Sequence, residues 1–269
     1  MRTWLVFVAM LAGTFALNAA GHEGWKMVWS DEFGQPGLPD PHKWTYEVGR
    51  VRNKEAQYYT KARMENARVE GGHLIIEGRK EAWNGPGPKP ETAQYTAASL
   101  TTDRLFSLTY GRVEVRAKLP RGRGVWPAIW MLGTNIHSTG WPKCGEIDIM
   151  EFVGHEPGTL FATVHWFGYE KGKRASLGGN LKGQRPSDDF HIYAMEWSAD
   201  RMDFFYDDTQ YFTYPIPKAG PDEQNPFHKP HYLLMNLAIG GSWGGQKGID
   251  DTIFPQRYEI DYVRVYQKK

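Results

Sequence analysis

Short runs of alternating polar and apolar residues recur along the chain, as in Arg112-Val113-Glu114-Val115-Arg116 and Tyr258-Glu259-Ile260-Asp261-Tyr262-Val263-Arg264-Val265-Tyr266. A period of two is that of a β-strand, whose successive side chains point to opposite faces, so each run assigns one face to a core and one to solvent. Between the runs, glycine and proline stop regular structure, notably in Asn84-Gly85-Pro86-Gly87-Pro88-Lys89-Pro90 and Gly178-Gly179-Asn180. No long run with helical periodicity follows the first twenty residues. Many short strands with almost no helix predict an all-β sandwich of two antiparallel sheets, and a jelly roll is one way to build it. No internal repeat or domain-sized linker divides residues 21–269, which read as a single domain.

Residues 1–20 differ from the rest. Met1-Arg2, an apolar run from Trp4 to Leu17 and the small residues of Asn18-Ala19-Ala20 have the layout of a signal peptide, with cleavage expected near Ala20. The apolar run is shorter than the roughly 20 residues a membrane helix needs, so the expectation is a secreted, extracellular or periplasmic, protein with no membrane segment. Losing Arg2 takes the formal net charge from +1 to zero, which points away from nucleic acid or anionic membrane as a partner. Cys144 is the only cysteine, so an exported chain cannot brace itself with an internal disulfide, and its stability has to come from a core. The mature chain is long enough to bury one and is expected to act as a monomer.

The segment Gly145-Glu146-Ile147-Asp148-Ile149-Met150-Glu151 places three acids within six residues with no Lys or Arg among them. In a regular strand Glu146 and Asp148 share a face, while Glu151 is out of phase by one residue. A single β-bulge near Ile149 and Met150 would restore Glu151 to the acidic face, and bulges are common beside active sites. Alternating acids also mark ordinary solvated strand faces. Like charges this close repel, however, which argues for a function that offsets the cost. Cleavage of a glycosidic bond needs one carboxylic acid to protonate the leaving oxygen and a second carboxylate to attack or to activate water. The 11 Trp, 14 Tyr and 13 Phe fit either a sandwich core or a sugar-binding groove, where ring faces stack on pyranose C–H groups.

These residues resemble glycoside hydrolase family 16, most closely its laminarinase-like members. The resemblance rests on Trp126-Pro127-Ala128-Ile129-Trp130-Met131-Leu132-Gly133 and on Trp141-Pro142-Lys143-Cys144 running into the acidic segment. It extends through Trp29-Ser30-Asp31-Glu32-Phe33, Asn53-Lys54-Glu55-Ala56-Gln57-Tyr58-Tyr59-Thr60, Asn236-Leu237-Ala238-Ile239-Gly240-Gly241 and Asp261-Tyr262-Val263-Arg264-Val265-Tyr266. It implies a β-jelly-roll sandwich with a substrate cleft on its concave face and a retaining mechanism. Glu146 matches the nucleophile, Glu151 the general acid/base and Asp148 the auxiliary acid between them.

By the same resemblance, Trp126, Trp130 and Trp141 line the glycone side of the cleft. Asn53, Glu55 and His165 are candidates for sugar contacts, and Trp243 and Arg104 for the cleft edges. The implied activity is endo-cleavage of internal β-1,3 bonds in laminarin-like glucans. Relatives of the same fold that act on mixed-linkage glucan, agarose or carrageenan are the closest rivals, and a non-catalytic glucan-binding protein is another. No cofactor is expected for catalysis, since the nine histidines show no metal-ligand spacing. The resemblance also suggests a structural calcium ion held by Glu32, the Gly72 carbonyl and Asp261, oxygen donors suited to a hard cation. Cys144, beside the motif, has no base assignable to it and reads as a buried thiol.

Overall fold

The structure, a computed structural model, describes residues 23–86 and 91–269. The signal-peptide segment 1–20 and part of the Pro/Gly segment, residues 87–90, lie outside the described residues. The first strands are β1 (Trp25–Asp31), β2 (Thr45–Glu47), β3 (Gln57–Tyr59), β4 (Ala67–Glu70), β5 (His73–Asn84) and β6 (Thr92–Ala97). There follow β7 (Ser99–Thr101), β8 (Gly111–Lys118), β9 (Val125–Gly133), a one-turn helix α1 (Ile136–Thr139), β10 (Glu146–Glu151), β11 (Thr159–Gly168) and β12 (Lys173–Lys182). The chain closes with β13 (His191–Trp197), β14 (Arg201–Tyr206), β15 (Thr209–Pro215), β16 (His231–Ile239) and β17 (Gln256–Lys268). Both alternating runs lie in strands, Arg112–Arg116 inside β8 and Tyr258–Tyr266 inside β17.

Two sheets face one another. One has ten strands and runs β15-β14-β13-β8-β17-β5-β6-β3, with β1 on β17 and β4 on β5; the other runs β12-β11-β10-β9-β16-β7-β2. The pairings are antiparallel except for the short β3–β6 pair, where Gln57 meets Tyr95 in parallel. The core lies between the sheets, with Val113, Val115, Ile260 and Val263 from one side and Ile129, Met131, Ile147, Val164 and Met235 from the other, all fully buried. Burying each such side chain contributes on the order of 1.5–3 kcal/mol.

The polar partners of the β8 alternation are less exposed than a simple inside/outside rule predicts. Arg112 and Glu114 are buried, because Arg112 bonds Glu196 at 3.0 Å, approaches Glu114 at 3.4 Å and lies over the Phe205 ring. The outer face of the ten-stranded sheet is thus covered by paired charges. The outer face of the seven-stranded sheet instead lines a cavity of about 690 Å³, and that difference locates the site.

Candidate active site

Strand β10 runs through the middle of the cleft-bearing sheet, between β9 and β11. Gly145 leads into it at φ +80°, a backbone region that L side chains rarely adopt. A Cβ there would also come within 2.8 Å of Pro226 and 3.0 Å of His231 Nε2, so both conformation and space call for glycine.

The expected bulge is present. Against β9, Asp148 pairs with Trp130 and Met150 with Ile129, so two residues of β10 advance for one of β9; against β11, Asp148 pairs with Thr163 and Glu151 with Phe161. Ile149 and Met150 both enter the hydrophobic core, and Glu151 returns to the cleft beside Glu146 and Asp148. Tyr211, from β15 in the opposite sheet, donates its hydroxyl to the Ile149 carbonyl at 3.3 Å. A bulge leaves part of the ladder unpaired, and this cross-sheet bond occupies a carbonyl within it.

Burial pushes the Glu146 carboxyl up, while His165, the Trp141 indole, Arg52 and Arg174 pull it back. Asp148 is driven well above the usual carboxylate range by burial and then by Glu146. Glu151 is raised well above that range by burial, Asp148 and Glu146; its opposing contacts are the Trp126 indole, which donates to Oε1 at 3.1 Å, and His165. The trio therefore holds its negative charge best on Glu146 and its protons best on Asp148 and Glu151.

Trp126, Trp130, Trp141, His165, Asn53, Glu55 and Trp243 all line the same cavity as the three acids. Trp130 donates to Asn236 at 2.7 Å, Asn236 to the Tyr59 hydroxyl at 2.9 Å, and Tyr59 to Glu55 at 3.1 Å. Glu55 is buried and also accepts from Gln57 at 2.7 Å and Asn53 at 3.3 Å, so its oxygens organise the floor of the cleft instead of standing free for a sugar hydroxyl. Trp243 packs edge-on against Trp126 and Phe161 at the cleft edge.

Arg104 does not reach the cleft. It sits at φ +61° in the turn after β7, its side chain is 78% exposed, and it lines a smaller recess of about 270 Å³ with Asp103 and His137. The suggested calcium ligands do not fit a cation as placed. Glu32 grips Arg264 through both oxygens at 2.9 and 2.7 Å, and Asp261 bonds Arg116 at 2.6 Å, so each carboxylate is already neutralised by a guanidinium.

Sequence reasoning missed several cleft residues. Arg52 lies 4.7 Å over the Trp130 ring and pairs with Glu47, and Arg174 and Thr163 extend the wall on the far side of the acids. Asn236 was legible in principle, since it alternates with the core residues Met235 and Leu237. Arg52 had no such signal, because it lies in a loop with no period.

A β-sandwich with paired carboxylates on an aromatic-lined cleft defines the class of a polysaccharide-cleaving glycosidase. The description of Glycosyl hydrolases family 16 matches residues 44–264, and the chain belongs to that family as a glycoside hydrolase. It is 47% identical to a β-glucanase of Rhodothermus marinus over 99% of this chain and 95% of that one. The laminarinase structure from the same organism superposes with a TM-score of 0.82 at 46% identity, covering 91% of this chain and 98% of that one. A glucan endo-1,3-β-glucosidase of Cryptopygus antarcticus is 36% identical over 93% of this chain and 94% of that one. SCLam, a non-specific endo-β-1,3(4)-glucanase whose Glu→Ser mutant was crystallised with a glucan at its active site, has a TM-score of 0.84 at 43% identity, over 93% and 97% of the two chains.

Proposed function

We propose that this enzyme cleaves internal β-1,3 bonds of laminarin-like glucans by double displacement, with Glu146 as nucleophile and Glu151 as general acid/base. The observation that carries the reading is the bulge that returns Glu151 to the face of Glu146. Glu146, the member of the trio with the most cationic support, attacks the anomeric carbon as Glu151 gives its proton to the leaving oxygen. The Glu146 ester is neutral, so part of the repulsion that held the Glu151 proton disappears. Glu151 then accepts a proton from water, whose oxygen attacks the same carbon and frees Glu146. Asp148, buried and protonated between them, limits the spread of charge and orients Glu146. Trp126, Trp130 and Trp141 line the cleft beside the acids, and Trp141, exposed where the other two are buried, presents ring surface to a sugar.

Similarity to SCLam favours one second reading, in which the cleft also accepts mixed-linkage 1,3-1,4 glucan. We further propose that residues 21–269 act as a single secreted domain after cleavage near Ala20; N-terminal sequencing of protein recovered from the medium of expressing cells tests that. The functional test is reducing-end release from laminarin, mixed-linkage glucan, agarose and carrageenan with product sizing, for the wild type and for Glu146→Gln and Glu151→Gln. Proton NMR of the first-formed anomer reads the stereochemistry. Equal background release by all three proteins would remove the enzymatic reading, and an inverted first product would remove the nucleophile.

A further inference from the structure

The cleft holds one arrangement that glycosidic cleavage does not explain. His165 Nε2 lies 3.3 Å from Asp148 Oδ2 and 3.8 Å from Glu146 Oε1, and one donor atom from each of the three side chains fits within 4.8 Å of the others. Among the described residues it is the one such group of three or more His, Cys, Asp or Glu side chains. Asp148 Oδ2 is buried with no hydrogen-bond partner, in a side chain only 4% exposed, and it points at the imidazole. A buried polar atom without a partner is costly unless something occupies its lone pairs.

We propose that Glu146, Asp148 and His165 form a binding site for a divalent transition-metal ion, Zn²⁺ or Cu²⁺, that switches the enzyme off. With metal–ligand bonds of about 2.0–2.2 Å, donors of a tetrahedral site lie about 3.4 Å apart, close to the two measured separations. One imidazole nitrogen with two carboxylates selects a borderline ion over calcium or magnesium, which take oxygen donors in larger number. Glu146 and His165 are register partners on adjacent strands, so the donors stand on paired backbone instead of a loop. The fourth position opens to the cleft, where water completes the shell. An ion there displaces the Asp148 proton to solvent, takes the lone pairs of Glu146 and excludes the sugar from it. The inhibitory half rests on Glu146 being the nucleophile; the binding half does not. Histidine spacing in the sequence could not reveal the site, because its ligands come from two strands and two of them are acids.

The test titrates ZnCl₂ into the mature protein by calorimetry in a non-chelating buffer. Expected are one ion per chain, affinity weakened at least about tenfold in Asp148→Asn and in His165→Gln, and a weaker apparent affinity as laminari-oligosaccharide is added. EDTA should restore full laminarin cleavage, with an inhibition constant matching the calorimetric one. Far-UV circular dichroism checks the fold of each variant, and Glu146→Gln supplies a third ligand removal if His165→Gln does not fold. No saturable binding up to about 1 mM Zn²⁺, an affinity of about 4 kcal/mol, overturns the proposal. So does one-site binding that survives the ligand substitutions or is indifferent to oligosaccharide. Binding at these residues in a protein inactive on every glucan would uphold the site and reject the glucanase reading instead.

Discussion

Deleting Met150 tests the geometry on which the site depends. Two residues of β10 advance against one of β9 between Asp148 and Met150, so removing one residue leaves a regular strand. Asp148 then stays opposite Trp130, Ile149 moves opposite Ile129, and Glu151 stays opposite Ala128; on the β11 side Asp148 stays with Thr163 and Glu151 with Phe161. The deletion therefore preserves both faces, with Glu146 and Glu151 separated by four strand steps, about 13 Å between Cα atoms. Its cost lies in the core. Met150 is fully buried, and losing a buried methionine side chain costs about 2–5 kcal/mol. At roughly 2–4 °C per kcal/mol for a chain of this size, the melting temperature should fall by about 5–20 °C while the protein stays folded. Tyr211 would also lose the bulge carbonyl, leaving a buried hydroxyl to find another partner.

The assay is reducing-end release from laminarin at a temperature where circular dichroism shows both proteins folded. The deletion variant should stay at least about tenfold more active than Glu151→Gln, since loss of a general acid/base costs about 10²–10⁴ and a small displacement of the carboxyl costs less. Inserting one alanine after Met150 makes the opposite prediction, since it turns Glu151 into the core and should bring activity down to the Glu151→Gln level. A double-mutant cycle sharpens the test: Tyr211→Phe should destabilise the wild type by about 1 kcal/mol and the deletion variant by less. A folded deletion variant no more active than Glu151→Gln, beside an active insertion variant, would refute the parity argument.

Trp126→Phe removes the indole N–H that favours the Glu151 carboxylate, so Glu151 should keep its proton to higher pH; the basic limb of kcat/KM against pH should move up, and movement down would contradict the acid assignment. His231 is buried with its pKa lowered to about 4 by burial, so the unfolded chain takes up a proton near pH 6.5 that the native chain refuses. Stability should therefore fall between about pH 6.5 and 4 by up to roughly 3 kcal/mol from this group, and urea titrations of His231→Gln across that window should show a shallower loss than the wild type. Cys144 is buried with its thiol pushed up to about 11 by burial and then by Glu146, so the native protein should resist thiol reagents at neutral pH and Cys144→Ala should keep laminarin turnover within about threefold. A loss of several orders of magnitude there would reopen the case for a thiol nucleophile.

What could be read from the sequence was whatever parity controls. Strands such as β8 and β17 declare their faces because side chains alternate, and the same rule exposes the bulge, since Glu151 can join Glu146 only if one residue is taken out of step. Parity says nothing about who sits opposite whom. Arg112 and Glu114 alternate like solvent-facing residues and are buried because β13 brings Glu196, and β14 Phe205, against them. Glu32 and Asp261 look like free oxygen donors until the fold sets Arg264 and Arg116 beside them. Arg104 and Arg52 both lie in loops, yet one turns out to solvent while the other lies over Trp130 beside Glu47, and only the closed loop distinguishes them. The same limit explains His165. As a lone histidine in β11 it carries no ligand spacing, but pairing with β10 puts its Nε2 beside Glu146 and the unpartnered Asp148 oxygen. Within a strand, sequence separation sets distance; across strands only register does. The electrostatic balance of a site assembled from four strands and two loops therefore follows from pairing, which no single run of residues encodes.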